Sequence, residues 1–238
     1  MLRVPDFLIL EDWMKRKCML GLVAAILLFS LTAVAADSEN PGSGWAVDAK
    51  VGTLGIGADL SRSIVPRVLN VRFGASFFSY STDFDELGIT YNAELKLGAV
   101  PIAVDVFPFK NWFRLGGGVL INMNEVTGTA QATTGKITIG DVTYNLPDLG
   151  QVDGKVKFNR VAPYFGFGFN NPIKKSGHWG FFADLGLMYH GDPIATLTAS
   201  KTVPTLQQNI DKQVAKTNED LKGFSIFPVL QMGISYKF

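Results

Sequence analysis

Phe224 to Phe238 reads FSIFPVLQMGISYKF. Counted back from Phe238, every second residue is apolar, whereas the residues between them include Lys237, Ser235 and Gln231. This period of two predicts a β-strand with one apolar face and one small or polar face. The alternation alone fits two arrangements, because the apolar face could cover the core of a soluble sandwich or face lipid in a membrane barrel.

The composition narrows the function classes. The chain has 238 residues with 22 basic and 21 acidic side chains, so no bulk charge indicates a nucleic-acid partner. Its 25 glycines and 18 phenylalanines fall in short alternating runs, which suits strands that face lipid. The single cysteine, Cys18, excludes an intramolecular disulfide and a cysteine-based zinc site. We predict no cofactor and no metal.

Residues 1–36 have the three-part layout of a secretory signal peptide. The basic residues Lys15 to Lys17 precede the apolar run Met19 to Phe29, and small residues follow up to Ala36. We predict cleavage after Ala35 or Ala36, although an uncleaved transmembrane anchor is the alternative, since the apolar span is nearly long enough. Residues 1–13 lie outside this layout, which leads to the hypothesis that translation starts at Met14.

Alternating runs recur through residues 37–238 and predict an all-β fold, a single antiparallel transmembrane barrel. Its short connections lie near Ser63, Pro108 and Asn170, and its long ones near Asp83, Gly135 and Leu206. Because outer-membrane barrels keep turns short on the periplasmic side and loops long outside, the first group is predicted to be periplasmic and the second extracellular. An even strand number, eight, requires Trp45 to Val51 to be a separate first strand.

Two phase shifts interrupt the alternation. Gly52 and Thr53 form either a tight turn or a bulge, and Gly98 is interpreted as a bulge within one strand. A bulge at Gly98 would place Glu94 and Lys96 on the same face as Asp105.

Two smaller elements are predicted in the long loops. Lys136 to Ile139 and Val142 to Tyr144 flank a Gly-Asp pair and suggest a small hairpin outside the main sheet. Between Pro204 and Gly223, apolar residues recur at helical spacing, so we predict one amphipathic helix in the last long loop.

The polar strand faces carry charges that would point into the lumen. The predicted lumen charge network consists of Asp59, Arg72, Glu94, Lys96, Asp105, Arg114 and Asp184. If the first short turn is centred between Val65 and Pro66, Asp59 lies directly across from Arg72 on the neighbouring strand. If the second is centred between Phe109 and Lys110, Asp105 lies directly across from Arg114.

Unpaired charges are costly in a narrow barrel, so we interpret this set as a salt-bridged closure of the lumen. It could be a packed polar core whose only task is to hold the barrel together, because eight strands leave an interior just wide enough for side chains. The alternative is a gate whose ion pairs exchange partners and admit water or small ions.

Aromatic residues cluster at the predicted turns. The predicted aromatic girdle consists of Phe107, Phe109, Trp112, Phe113 and Trp179. Such a cluster would be unusual on a soluble protein but is expected at a membrane interface, so it favours the barrel over the sandwich.

The histidines give catalysis little support. His178 and His190 share neither a strand nor a helical turn, so they do not form a metal site. Ser176 precedes His178 by two residues in a predicted turn, and no catalytic motif surrounds it. We therefore expect a protein that is not an enzyme and has no catalytic residues.

Four motifs stand out in the chain: Gly52 to Gly57, Asp105 to Leu115, Ala162 to Gly168 and Gly233 to Phe238. Together they resemble motifs of small proteobacterial outer-membrane β-barrel proteins of the OmpA and OmpW type. The resemblance implies a location in the outer membrane of a Gram-negative bacterium, with its lipids as partners. It also implies that Tyr236 and Phe238 belong to the signal that the outer-membrane assembly machinery recognises.

For activity the resemblance implies little, because many members of this group have no established function. We expect a non-enzymatic structural or surface-interaction role, in which the long loops Asn124 to Lys157 and Gly191 to Gly223 are available to a surface ligand of unknown identity. A narrow channel for small or apolar solutes is the first alternative. A lipid-modifying barrel enzyme is the second.

Overall fold

The structure is a computed structural model that describes residues 44–86, 89–110, 112–132, 134–170, 173 and 178–238. The predicted signal peptide and the predicted start at Met14 lie outside the described residues.

Thirteen strands and two helices make up the described chain. The strands are β1 (Trp45–Gly52), β2 (Gly55–Val65), β3 (Leu69–Glu86), β4 (Ile89–Val106), β5 (Phe113–Asn122), β6 (Glu125–Ala132), β7 (Lys136–Ile139), β8 (Val142–Asn145), β9 (Val152–Lys157), β10 (Val161–Phe169), β11 (Trp179–Tyr189), β12 (Ile194–Ala199) and β13 (Ile226–Lys237). The helices are α1 (Leu146–Leu149) and α2 (Leu206–Asp220).

Eight strands close into an antiparallel barrel, which confirms the predicted fold. Their order is β1, β2, β3, β4, β5, β10, β11 and β13, and β13 pairs back with β1. The closing pair runs from Ala46 opposite Lys237 to Gly52 opposite Gln231. We call the barrel end near Ala46 and Lys237 the lower end and the opposite end the upper end.

The barrel strands bury their polar side and expose their apolar side. On β4, Asp105 is 1% exposed, whereas the neighbouring Val104 is 41% exposed. Phe165 on β10 and Phe181 on β11 are likewise exposed on the outer surface. This is the reverse of a soluble sandwich, so the outer face is suited to lipid.

The first phase shift is a turn. Gly52 pairs with Gly55, so Thr53 and Leu54 form a two-residue turn between separate strands β1 and β2. The predicted first strand, Trp45 to Val51, therefore exists as part of β1.

The predicted bulge at Gly98 is wrong. The pairing of β3 with β4 keeps one register from Leu69 opposite Val106 to Glu86 opposite Ile89. Both strands are 18 residues long, so they also occupy most of the predicted loop around Asp83. Above Gly98 the apolar residues of β4 occupy the opposite face of the strand, although the backbone register does not change. They face a second protein core there instead of lipid.

That core belongs to a surface domain above the barrel. We define the surface domain as the upper parts of β3 and β4 together with β6, β9, β12, the β7–β8 hairpin and both helices. β6, β9 and β12 continue the sheet from the edge of β4. The segments predicted as long loops are thus largely strands and helices. The predicted hairpin and the predicted helix are both present.

The surface domain has its own hydrophobic core. Its buried members are Ile89, Ala130, Ile139, Tyr144, Leu146, Leu149, Val152, Leu206 and Ile210. Helix α2 also binds the hairpin through polar contacts, including the ion pair of Lys212 Nζ with Asp141 Oδ2 at 2.8 Å. Among the helices of the described residues, none is long and apolar enough to cross a membrane.

Candidate functional site: the barrel lumen

Six buried charged side chains fill the middle of the lumen, three basic and three acidic. They are Lys50, Asp59, Arg72, Asp105, Arg114 and Asp184. Each comes from a different barrel strand and occupies an inward position of that strand. We call this group the charged layer.

Arg72 lies at the centre of the charged layer. Its Nη1 lies 2.9 Å from Asp184 Oδ2, and its Nη2 lies 3.2 Å from Asp105 Oδ1. Its Nη1 is also 3.7 Å from Asp59 Oδ2. One guanidinium therefore holds three carboxylates that would otherwise repel one another in a buried site.

The other two cations complete the layer. Arg114 donates to Asp184 from Nη2 at 2.6 Å and from Nε at 3.0 Å, and its guanidinium lies 5.4 Å from the centre of the Phe182 ring. Lys50 donates to Asp59 Oδ1 at 2.7 Å. The result is one continuous chain of ion pairs across the barrel, formed by three positive and three negative groups. A fourth buried carboxylate, Asp48, lies opposite Asp59 outside this chain.

The two predicted cross-strand pairs are wrong, because the register of each strand pair differs by two residues from the prediction. Asp59 lies opposite Gly74, not Arg72, and Asp105 lies opposite Gly116, not Arg114. The third aspartate follows the same rule. Asp184 lies opposite Gly168.

The reason for this offset is space. A Cβ added at Gly74 or at Gly168 would overlap an oxygen of the aspartate opposite. Glycine leaves room for each carboxylate beside the wall, and the long arginines reach across the lumen to meet them. An arginine directly opposite an aspartate would have to fold back along the wall of a barrel this narrow.

Glu94 and Lys96 are not part of the charged layer. They form an ion pair of their own at 2.8 Å, with side chains 33% and 50% exposed. Since no bulge reverses the alternation at Gly98, these residues lie on the outer face of β4 in the surface domain, opposite in direction to Asp105. The predicted network thus loses these two members.

Lys50 and Asp48 are lumen charges that the predicted network left out. Both lie on inward positions of β1 and are buried. Asp48 Oδ2 accepts a hydrogen bond from Ser61 Oγ at 3.0 Å. The alternation of β1 places both residues on the lumen side, but it does not indicate which side chains of other strands they contact.

An apolar layer lies in the lumen above the charges. Leu54, from the β1–β2 turn, inserts into the barrel and packs in one cluster with six other buried residues. The others are Ala99, Leu120, Ala162, Tyr164, Met188 and Val229. A cavity of about 10 Å³ remains between the two layers, lined by Arg72, Leu54 and Tyr164 among others. This volume is at the lower limit for a single water molecule.

The lower rim carries most of the predicted aromatic girdle. Phe109, Trp112 and Trp179 are exposed there, and Phe113 packs against Phe109 with ring centres 5.9 Å apart. The prediction that Phe107 belongs to the aromatic girdle is wrong. It is 1% exposed, because it continues the inward positions of β4 beyond Asp105 and points into the lower end of the barrel.

The C-terminal residues join this rim. The Tyr236 ring lies 4.9 Å from Trp179 and 5.5 Å from Phe238. The backbone N–H of Phe238 donates to the carbonyl oxygen of Trp45, next to the β1–β13 pair that closes the barrel. Recognition of Tyr236 and Phe238 by an assembly machinery stays a prediction.

Both histidines bind backbone carbonyl groups. His178 Nδ1 donates to the carbonyl of Lys237 at 2.9 Å, and His190 Nδ1 donates to that of Gly191 at 3.0 Å. His190 also packs edge-on against Phe158. In the described ranges, no group of three or more histidine, cysteine or acidic side chains could hold a metal ion.

Neither a protein-family model nor a curated protein sequence matches the chain. Among solved structures it is similar to two outer-membrane barrel proteins of Acinetobacter baumannii. The first is CarO2, with a TM-score of 0.53 and 23% identity over 82% of this chain and 99% of CarO2. The second is CarO, with a TM-score of 0.53 and 22% identity over 84% of this chain and 100% of CarO.

The fold is that of an outer-membrane β-barrel. A major outer membrane protein of Thermus thermophilus is more distant, with a TM-score of 0.43 and 15% identity over 82% of this chain and 98% of the other. The likeness to the Acinetobacter barrels extends over nearly their whole length but concerns the fold alone. The OmpA or OmpW type inferred from the motifs remains a prediction.

Proposed function

We propose that this protein is an outer-membrane barrel with a non-enzymatic structural or surface-interaction role, in which a closed barrel anchors the surface domain. The observation that carries this proposal is the filled lumen. A barrel that is blocked by both a charged layer and an apolar layer offers no path for a solute, so its function is best sought outside the lumen.

The two layers oppose permeation in different ways. The charged layer would have to lose ion pairs between buried groups, and removing one partner of such a pair typically costs about 3–5 kcal/mol. Apart from the Tyr164 hydroxyl, the side chains of the apolar layer offer no polar group to replace the hydration shell of an ion. The remaining cavity of about 10 Å³ holds at most one water molecule.

The surface domain is the part suited to partners. It has its own hydrophobic core, and its outer face carries ion pairs such as Glu94 with Lys96 and Glu125 with Lys155. A rigid, charged surface held away from a membrane presents a defined shape to a ligand. We assign it to the cell exterior because the connections at the lower end are short.

The apolar outer belt, the aromatic lower rim and the likeness to the Acinetobacter barrels support an outer-membrane location. It requires export, for which the predicted signal peptide provides the route. Outer-membrane lipids and the barrel assembly machinery are the proposed partners.

Labelling of intact cells tests this orientation. In a chain with Cys18 replaced by Ser, we expect Lys212→Cys, on exposed α2, to react with a membrane-impermeant maleimide. The matched variant Lys110→Cys, in an exposed turn at the lower end, should react only after the outer membrane is permeabilised. The opposite pattern, or reaction of both variants in the soluble periplasmic fraction, would contradict the proposal.

A narrow channel is the second candidate, because Arg72 lies within 4 Å of three carboxylates and could exchange partners. Planar-bilayer recordings separate the two functions. For a closed anchor we expect no unitary conductance steps from the wild-type protein, and none from Arg114→Ala, since the apolar layer remains in place. The exposed substitution Arg62→Ala is the matched control. Steps in the wild type that grow in Arg114→Ala would support the channel instead.

A further inference from the structure

Within the residues that the structure describes, the barrel wall has a gap above the β1–β2 turn. β1 and β2 end at the Thr53–Leu54 turn, where Gly52 pairs with Gln231 and Ile56 pairs with Phe77. In the described part of the chain, β3 pairs only with β4 above Phe77, and β13 pairs only with β11 above Gln231. We call the gap above this turn, between β3 and β13, the notch.

The notch lies at the height of the apolar belt. Above Gln231, β13 has five more residues, Ile226 to Leu230. They lengthen this strand by about 16 Å, which corresponds to about 12 Å in height at the usual strand tilt. Ile226 and its partner Tyr189 are both exposed outward over this stretch. The notch therefore opens sideways towards lipid, below the top of the belt.

Thr53 bonds to three backbone groups on the β13 edge of the notch. Thr53 N–H donates to the carbonyl of Leu230 at 2.9 Å, and Leu230 N–H donates to Thr53 Oγ1 at 3.1 Å. Thr53 Oγ1–H in turn donates to the carbonyl of Pro228 at 2.9 Å. Proline has no N–H of its own. Satisfied backbone groups are what a strand edge facing hydrocarbon requires, because an unsatisfied one costs several kcal/mol there.

The β3 edge presents aromatic rings on both of its faces. Ser76, two residues below the notch on the inner face, is 2% exposed, whereas Phe77 is 73% and Phe78 is 42% exposed. Phe78 pairs with Leu97 in an uninterrupted register, so it belongs to the inner face. Its ring is exposed because the wall beside it is missing. Behind the notch, the buried Leu54 and Val229 seal the lumen.

We propose that the notch binds an acyl chain of an outer-leaflet lipid, seated between Phe78 and Pro228 on top of the Thr53–Leu54 turn. The surface is largely apolar, three backbone groups of its β13 edge are bonded to Thr53, and it is continuous with the lipid-facing belt through Ile56, Phe77 and Ile226. Leu54 separates this chain from the lumen. The inference rests on the proposed membrane location.

Site-directed spin labelling tests the lipid contact. In the full chain with Cys18 replaced by Ser, nitroxides at Phe77→Cys, Phe78→Cys and Asp83→Cys would be measured in phosphatidylcholine vesicles for collision with oxygen and with a water-soluble nickel chelate. We expect position 78 to resemble the lipid-facing position 77, with an oxygen-to-nickel ratio several-fold above that at the aqueous position 83.

Each other outcome has a distinct meaning. Water contact at position 77 overturns the membrane location itself. Lipid contact at 77 with water contact at 78 overturns the notch proposal alone, as does a label at 78 that neither oxygen nor nickel reaches, because a protein segment would then cover it. If the labelled variants do not fold, native mass spectrometry of the wild type in mild detergent replaces them, and barrels without a retained lipid overturn the proposal.

Discussion

Replacing Arg72 by Met is expected to lower the free energy of unfolding of the barrel by about 3–5 kcal/mol, the cost typical of removing one partner from a buried ion pair. The substitution keeps the bulk of the side chain but removes the guanidinium that binds Asp184 and Asp105 at 2.9 and 3.2 Å. Lys50 and Arg114 are then left to compensate three carboxylates. Urea-induced unfolding in lipid vesicles, followed by heat-modifiable migration on a gel, measures the change.

The matched control is Arg62→Met, on the neighbouring strand β2. Arg62 is exposed and stacks over the Trp45 ring at 4.8 Å, so its loss should cost no more than about 1 kcal/mol. The double variant Arg72→Met with Asp105→Asn should recover part of the stability, because Asp105 would otherwise keep only the distant Arg114 Nη1, at 3.7 Å, as a partner. Equal losses for Arg72 and Arg62, or a double variant less stable than Arg72→Met, would contradict the central role of this guanidinium.

Replacing Gly168 by Val is expected to destabilise the barrel by about 3 kcal/mol or more, by overpacking and by breaking a buried ion pair together. A Cβ at this position would overlap Asp184 Oδ1 and lie 2.6 Å from Arg114 Nε. The pair must therefore separate or the strand must shift. Folding yield into vesicles and the urea midpoint measure the loss.

Gly117→Val is the matched control for this prediction. Gly117 lies on β5 and faces outward, and a Cβ there would meet its nearest atom at 3.9 Å. Valine suits a lipid-facing strand, so the stability should stay the same or rise. If both variants fold equally well, the glycines opposite the aspartates are not needed for the charged layer.

The barrel could be predicted because its alternation extends over most of the chain. Each membrane strand must turn every second residue towards lipid, so the sequence carries the direction of each side chain. The last strand shows this clearly, since Val229, Gln231 and Ser235 are all buried on the lumen side as parity requires.

The register could not be predicted from parity. Shifting two strands by two residues leaves every side chain on the same face, so Asp59 opposite Arg72 and Asp59 opposite Gly74 satisfy the same pattern. What separates them is the space inside the barrel, which depends on all eight strands together. The faces of Arg72 and Arg114 were therefore predictable, and their contacts across the lumen were not.

Glu94 and Lys96 were misplaced for a related reason. An apolar face looks the same in sequence whether it meets lipid or a protein core. On β4, the outward residues are apolar within the membrane belt, but above Gly98 the inward residues such as Tyr91 are apolar, because they pack against the hydrophobic core of the surface domain. The sequence shows the exchange of faces as a phase shift, although the backbone has none.

The unbroken β3–β4 hairpin also has a mechanical consequence. Two 18-residue strands run without interruption from the lower rim through the charged layer into the surface domain. A force applied to the surface domain along these strands would act on their many cross-strand hydrogen bonds at the same time. The two strands should therefore resist extension together. Such a force would then reach Arg72 and Asp105 in the charged layer.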